Sequence, residues 1–310
     1  MTAPRQASVR PDRPRDAPDL HAESDARDRR SEGSHRAKAR HLYYRARVNR
    51  WVGQRSRAAE LCRRALGWCD YTRAYQLLAE LELPGEDYLH VLARIHAYVK
   101  PASYVEIGVA RGDSLALLQP ETHALGIDPE PRLKRPVGPL QKIFAETSDE
   151  FFARRDALAE LGGRRVRMAF IDGLHHFDFA LRDFMNLEPL CDPDSLIFVH
   201  DCHPLDERTA AREQTTAFWS GDVWRLIGVL KRHRPDLSIH TIATRPSGLG
   251  LITRLDPTSR VLRENLPALI SEGLDTGFDT IAGRKAQALN LFPNDWSELK
   301  ALLGRRVSGR

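Results

Sequence analysis

Two groups of residues in this sequence have the types and spacing to do chemistry. The first is Glu106-Ile107-Gly108-Val109-Ala110-Arg111-Gly112-Asp113-Ser114, with Asp128 following 22 residues after Glu106. Glycine at 108 and 112 lets backbone approach a ligand closely, and amide groups at the start of a helix favour a carboxylate or other anion. The spacing is G-x-x-x-G rather than the G-x-G-x-x-G of dinucleotide binders. Taken alone it serves equally well as a tight structural turn. Asp128 sharpens it, because a carboxylate closing the next strand can accept both hydroxyls of a ribose. Turn and acid together point to an adenosyl cofactor.

The second group is Phe170-Ile171-Asp172-Gly173-Leu174-His175-His176-Phe177-Asp178 with the later Asp183, together with His200-Asp201-Cys202-His203-Pro204. Histidine titrates near neutral pH without tuning, so His175 is the first candidate for a general base. Asp172 and Asp201 are candidates to orient it, to hold a metal or to bind an acceptor hydroxyl. A core role explains Asp172 poorly, since a buried unpaired carboxylate is costly. His176 and His203 serve equally well as local packing groups, Asp178 as a helix-start acid and Asp183 as a surface acid of the following helix. In that helix Phe177, Leu181, Phe184 and Leu187 form one apolar stripe. Farther on, Trp224 and Arg225 offer a flat face and an anion fork for an acceptor pocket, with core packing the favoured role of Trp224.

Such residues need a frame. Short apolar runs at 104–108, 124–128, 141–145, 166–172 and 196–201 alternate with helical stretches, and several end on a polar or acidic residue. Alternation of this kind predicts a parallel sheet with helices on both faces and the strand ends sharing one edge, where ligands bind. Residues 238–244 and 248–254, joined at Arg245-Pro246-Ser247, read as a closing hairpin. The expected fold is therefore α/β, a doubly wound, Rossmann-like, seven-stranded and mostly parallel sheet with an N-terminal helical extension.

Residues 104 to about 255 resemble a class I S-adenosylmethionine-dependent methyltransferase over roughly half the chain. Glu106-x-Gly108-x-x-x-Gly112 is similar to that family's first motif, and Asp128 to its ribose-binding acid. The resemblance implies that Glu106, Gly108 and Gly112 line the methionine part of S-adenosylmethionine, with Ser114 beside them and Ser148 near adenine. The neighbours of Ser148 serve equally as a cap for the next helix. Phe170 to Asp178 with Asp183 resembles the Ile-Asp-Gly-x-His pattern of a subgroup related to sugar and macrolide O-methyltransferases. Cation-dependent relatives bind magnesium or a similar divalent cation with acids after the fourth and fifth strands, places matched by Asp172 and Asp201. Cys202 stands in the third place, and a thiol is a poor ligand for a hard ion. A softer metal would draw on His175, His200 or His203, and the same histidines equally make a metal-free proton relay. The implied activity is methyl transfer to a hydroxyl of a sugar or other small natural product. No Asp/Asn-Pro-Pro-Tyr/Phe tetrapeptide follows the fourth strand, which favours oxygen as acceptor. A metal-dependent hydrolase built on Asp172, His175, Asp201 and His203 is the alternative, and it leaves Asp128 and the glycine turn without a role. A non-catalytic scaffold acting through residues 41–100 is the third reading.

Composition bounds the rest. The chain has 310 residues with 42% hydrophobic and 29% charged side chains, which fits a globular protein, and no apolar run reaches the length of a bilayer crossing. No membrane partner and a cytoplasmic location are expected. Four cysteines without a C-x-x-C pair are expected to be reduced thiols. Residues 1–50 hold 13 Lys/Arg against 7 Asp/Glu, more than accounting for the net charge of +5, so nucleic acid is not expected as a partner. Residues 1–40 carry few large apolar side chains and read as a disordered tail. Residues 41–100 read as a helical extension whose 57–83 segment resembles a tetratricopeptide hairpin, better suited to a lid or a homo-oligomer arm than to a peptide-binding solenoid. The catalytic domain is expected at 101–255 and a peripheral helical extension at 256–310.

Overall fold

The computed structural model describes residues 20–307, with side chains over 32–304. Helices α1 (Leu20–Trp51), α2 (Arg55–Leu66), α3 (Thr72–Glu82) and α4 (Tyr88–Val99) precede strand β1 (Ser103–Ile107). The alternating region continues with β2 (His123–Ile127), β3 (Gln141–Phe144), α5 (Ser148–Arg154), α6 (Ala157–Glu160), β4 (Val166–Ile171), α7 (Phe177–Leu187) and β5 (Cys191–Val199). Then come α8 (Trp224–His233), β6 (Ser238–Ile242), β7 (Leu249–Thr253), α9 (Val261–Asp275), α10 (Lys285–Ala288), β8 (Leu291–Phe292) and α11 (Trp296–Val307).

All eight strands join one sheet in the order β3-β2-β1-β4-β5-β7-β6-β8. Strands β1 to β5 run parallel, β7 runs antiparallel to β5 and β6, and β8 pairs parallel with β6. The chain leaves β1 toward one edge and returns through β4 toward the other. The loops after β1 and β4 therefore open a crevice at the point where strand order reverses. Period-two alternation assigns the two faces. Val105, Ile107, Ala169 and Ile171 pack with the apolar faces of α7 and α8, whereas Tyr104, Met168 and Phe170 pack with Val91, Leu92 and Ile95 of α4 and with Leu299 and Leu303 of α11.

Four details differ from the sequence reading. The sheet has eight strands rather than seven, because Leu291 and Phe292 of the segment expected to be helical add to β6. The tail expected over 1–40 is helical from Leu20, and residues 1–19 lie outside the described residues. Small residues explain the packed part, since Ala39 and Ala46, fully buried with Leu42, let α1 lie close on α2 and α3 in a separate apolar cluster. Helix α4 belongs to the sheet rather than to that cluster. Finally, the helix expected after the glycine turn is a single 3₁₀ turn, Leu115–Leu117. Pro120 lies three residues on, and the residue before a proline disfavours helical backbone.

Burial leaves an acid-sensitive group in this frame. His96 of α4 is 1% exposed, packs edge-on against Tyr104 and has neither ring nitrogen hydrogen-bonded. Burial pushes its pKa down from 6.5 to about 4. Between those values the unfolded chain binds the proton and the folded chain does not, so the contribution is whole above pH 6.5 and lost as pH falls. At pH 5 the loss is about 2 kcal/mol. Relative to its value at neutral pH, the unfolding free energy at pH 5 should be higher in His96→Leu than in the parent chain by about this amount, in denaturant titrations. An unchanged pH dependence in the variant would contradict the assignment.

Candidate functional site

Gly108 ends β1 with φ +85, and its amide donates to the Ile127 carbonyl at 2.8 Å. A β-carbon at this position would sit 1.9 Å from the Asp172 carbonyl oxygen, so only glycine lets the β1 and β4 loops meet. Asp128 closes β2 and grips the same turn. Its Oδ2 accepts from the Ala110 amide and its Oδ1 from the Glu130 amide, each at 2.7 Å. A carboxylate offers about four lone-pair directions, so two remain for a ligand.

Beside this turn lies a cleft of about 360 Å³. Gly108, Asp128, Ser148, Asp172, His175 and Asp183 line it, with Ile107, Ile127, Leu174 and Phe179 as apolar walls. A few polar groups in an apolar wall at this volume suit a small-molecule ligand. Thr147 forms a capping box with Glu150 at the start of α5, which leaves Ser148 facing the cleft.

Glu106, Gly112 and Ser114 do not line the cleft, contrary to the expectation for them. Period-two alternation turns Glu106 to the α4 face, where its carboxylate accepts from the Tyr104 and Ser114 hydroxyls at 2.7 Å each. Burial raises its pKa to about 8 against the opposing pull of both hydroxyls. Gly112 faces a separate cavity with Arg111 and Lys134.

The Asp172–His175 loop meets the end of β5 at the far side of the cleft. His175 Nδ1 lies 3.0 Å from Asp201 Oδ2, and its Nε2 lies 3.6 Å from Asp172 Oδ1. His200 Nδ1 sits between the carboxylates, 3.1 Å from Asp172 Oδ1 and 3.2 Å from Asp201 Oδ2. Ser247 Oγ donates to Asp201 Oδ1 at 2.5 Å. Burial opposes the charged form of His175 and His200, and the attraction of Asp201 followed by Asp172 overcomes it, so both pKa values lie above the ordinary histidine value. Burial likewise opposes ionisation of Asp201, and the two imidazoles hold its carboxyl far below the usual range. Donor atoms of Asp172, His175 and Asp201 lie within 4.8 Å of one another, close enough for one metal ion.

The remaining candidates separate clearly. Cys202 is turned into the core, its thiol toward the Val199 carbonyl at 3.4 Å, and stands outside the acid–histidine group. His203 is buried beside Gly248, with its pKa pushed down to about 4 by burial and then by Lys285. His176 packs against Phe179 and Trp219. Trp224 is a core residue whose indole donates to the Ala210 carbonyl at 3.3 Å. Asp183, expected on the surface, is 3% exposed. Burial raises its pKa to about 7 against the pull of Ser148.

Four residues that hold this site escaped the sequence reading. Trp219 stacks on His175 at 5.3 Å and 14°. Tyr88, from α4, lies 4.2 Å from the His200 ring. Ser247 fixes Asp201, and Gly221 lets its turn close over the His175 carbonyl, which accepts from the Asp222 amide at 3.1 Å. Gly221, in a Gly-Asp pair, and Ser247, in the Arg245-Pro246-Ser247 turn, carried local turn signals, and neither signal pointed to the site.

Residues 105–202 match the family model of a methyltransferase domain, about a third of the chain. No curated protein matches. Among solved structures, cofactor-bound Rv0187 from MTB is 16% identical, covering 59% of this chain and 88% of its own, at a TM-score of 0.43. The O-methyltransferase TomG of Streptomyces achromogenes, involved in tomaymycin synthesis and solved with SAM, is 18% identical over 53% of this chain and 78% of its own, at 0.42. An O-methyltransferase from Bacillus cereus solved with SAH is 12% identical over 56% and 85%, at 0.40.

The backbone contact at Gly221 is open to a direct test. A β-carbon there would meet the His175 carbonyl oxygen at 1.9 Å, at φ +64. Gly221→Ala should destabilise the fold by about 2 kcal/mol in denaturant titrations, because the turn and the His175 loop cannot both keep their places. Stability equal to that of the parent would contradict this packing.

Proposed function

We propose that this chain is an S-adenosylmethionine-dependent O-methyltransferase acting on a hydroxyl of a sugar or other small natural product, in the cytoplasm. The catalytic unit is built on residues 101–255 and completed by α4, β8 and α11, which pack on or join its sheet, with helices α1 to α3 as the extension. One juxtaposition carries the reading: a cleft lined at one end by Gly108 and Asp128 has His175 between two carboxylates at the other. The methyltransferase-domain match over residues 105–202 supports it.

The bound cofactor supplies an electrophilic methyl carried on a sulfonium. Asp128 receives the ribose hydroxyls on its two remaining acceptor directions, and the carbonyl-side backbone around Gly108 bounds the neighbouring part of the donor. Ser148 stands at the adenine end. Glu106 and Ser114 act one layer behind, as the buried pair that braces the turn. Alignment of donor and acceptor supplies much of the rate, and the remaining task is removal of the hydroxyl proton.

We assign that proton to His175. Nδ1 lies against the Asp201 carboxylate and Nε2 is left to take the proton, with Asp201 and Asp172 both near enough to stabilise the imidazolium that results. Trp219 stacked on the ring fixes its plane. Asp172, His175 and Asp201 are also the residues that would hold a divalent cation, which would polarise the acceptor oxygen. Their mixed nitrogen and oxygen donors suit a transition metal better than magnesium. His200 favours the base reading, since its Nδ1 already sits between the two carboxylates, 3.1 Å from Asp172 Oδ1 and 3.2 Å from Asp201 Oδ2.

Titration calorimetry and turnover assays separate these roles. S-adenosylmethionine should bind at micromolar levels, and Asp128→Asn should weaken it by about 10- to 100-fold. His175→Ala should keep that binding and lower turnover by about 10²- to 10⁴-fold. Unchanged binding in Asp128→Asn would refute the cofactor site. Dialysis against EDTA should leave turnover within about twofold under the base reading. A loss restored by manganese or zinc would instead make His175 a ligand.

A further inference from the structure

Helix α1 carries a second feature, remote from the cleft chemistry. Its buried side, Ala39, Leu42 and Ala46, packs on α2 and α3. On the opposite side Tyr44, Val48, Trp51 and Val52 follow the i, i+4, i+7, i+8 spacing of one helical face. Trp51 is 88% exposed, Val48 60%, Val52 53% and Tyr44 48%. Scattered apolar residues on a surface are ordinary, whereas four in one stripe mark a contact surface.

Charge decides what kind of contact. Residues 33–52 contain Arg36, Lys38, Arg40, Arg45, Arg47 and Arg50 and no acid at all. Helical spacing puts Arg40 and Arg47 along one border of the stripe and His41 and Arg45 along the other. Arg36 and Arg40 also line a cleft of about 660 Å³ with Arg73 of α3. The one acid lining that cleft, Asp70, already accepts from the Ala217 amide at 2.8 Å.

We propose that this face of α1 lies on an anionic membrane surface, with the stripe in the headgroup–acyl boundary and the arginines on lipid phosphates. An apolar centre containing tryptophan and tyrosine, edged by basic side chains, matches that boundary. A second copy of the chain fits it poorly, because pairing two such faces brings arginines against arginines. Nucleic acid fits poorly too, since the centre of the face is apolar where phosphates would need charge. No described helix is long and apolar enough to cross a membrane, so the contact is peripheral.

The test uses the full chain with vesicles of phosphatidylcholine alone or mixed with phosphatidylglycerol. Co-sedimentation should favour the mixed vesicles by about tenfold and should fall as salt is raised. Tryptophan emission should shift to shorter wavelength on binding, and Trp51→Phe should abolish that shift. Val48→Ser with Trp51→Ser, and separately Arg40→Glu with Arg47→Glu, should each lower binding by about tenfold or more. These side chains are exposed, and an unchanged unfolding curve establishes that each variant is folded. Equal binding to both vesicle types, or none, overturns the proposal. So does a lipid-free dimer dispersed by the Ser variants, or binding to duplex DNA with the vesicles left free.

Discussion

The arrangement depends on one close backbone contact. Where β1 ends, the missing side chain of Gly108 lets the Asp172 carbonyl approach to a distance no β-carbon would allow. That contact joins the β1 and β4 loops at the reversal of strand order. Asp128 then ties the β2 loop to the same turn, accepting from the Ala110 amide of the turn and from the Glu130 amide of its own loop. One wall of the crevice carries the group suited to a ribose, and the other carries His175 with its carboxylates. Both sets of chemistry are in reach of each other because the loops touch.

The acid–histidine group is held from outside the sheet. Asp201 and His175 both have positive φ, at 60° each, a conformation costly for residues with side chains. Neighbours over-determine those positions: Ser247 bonds Asp201, the turn at Gly221 bonds the His175 carbonyl, and Trp219 covers the ring. The loop carrying Trp219 is itself fastened to the helical extension. Tyr75 donates to Asp206 at 3.0 Å and stacks on Phe218, and the Ala217 amide donates to Asp70. The extension thus braces one side of the cleft.

Much of this was legible in the sequence because it is local. The strands of the parallel region, the closing hairpin and the α7 stripe follow from runs and spacings a few residues long, and Gly108, Asp128, Asp172 and His175 fall at strand ends that those runs define. What escaped depends on contacts distant in sequence. Trp219 meets His175 from 44 residues away, and Ser247 meets Asp201 from 46, with no spacing to announce either. Glu106 was misread because motif position points to the ligand while strand alternation turns the side chain to the other face. Asp183 was misread because its polar type suggests solvent, whereas its place on α7 faces the cleft interior. Helix α1 was read only from residue 41, since before it, among the described residues, a single alanine, Ala39, does the packing where a large apolar side chain would have signalled a buried face.

A crystal of the protein soaked with S-adenosylhomocysteine tests the central claim most directly. The account predicts density for the ligand in the crevice between the Gly108 turn and the Asp172 loop, with both ribose hydroxyls on Asp128 and the sulfur directed toward His175. Density for the ligand elsewhere, or an empty crevice at saturating concentration, would contradict it.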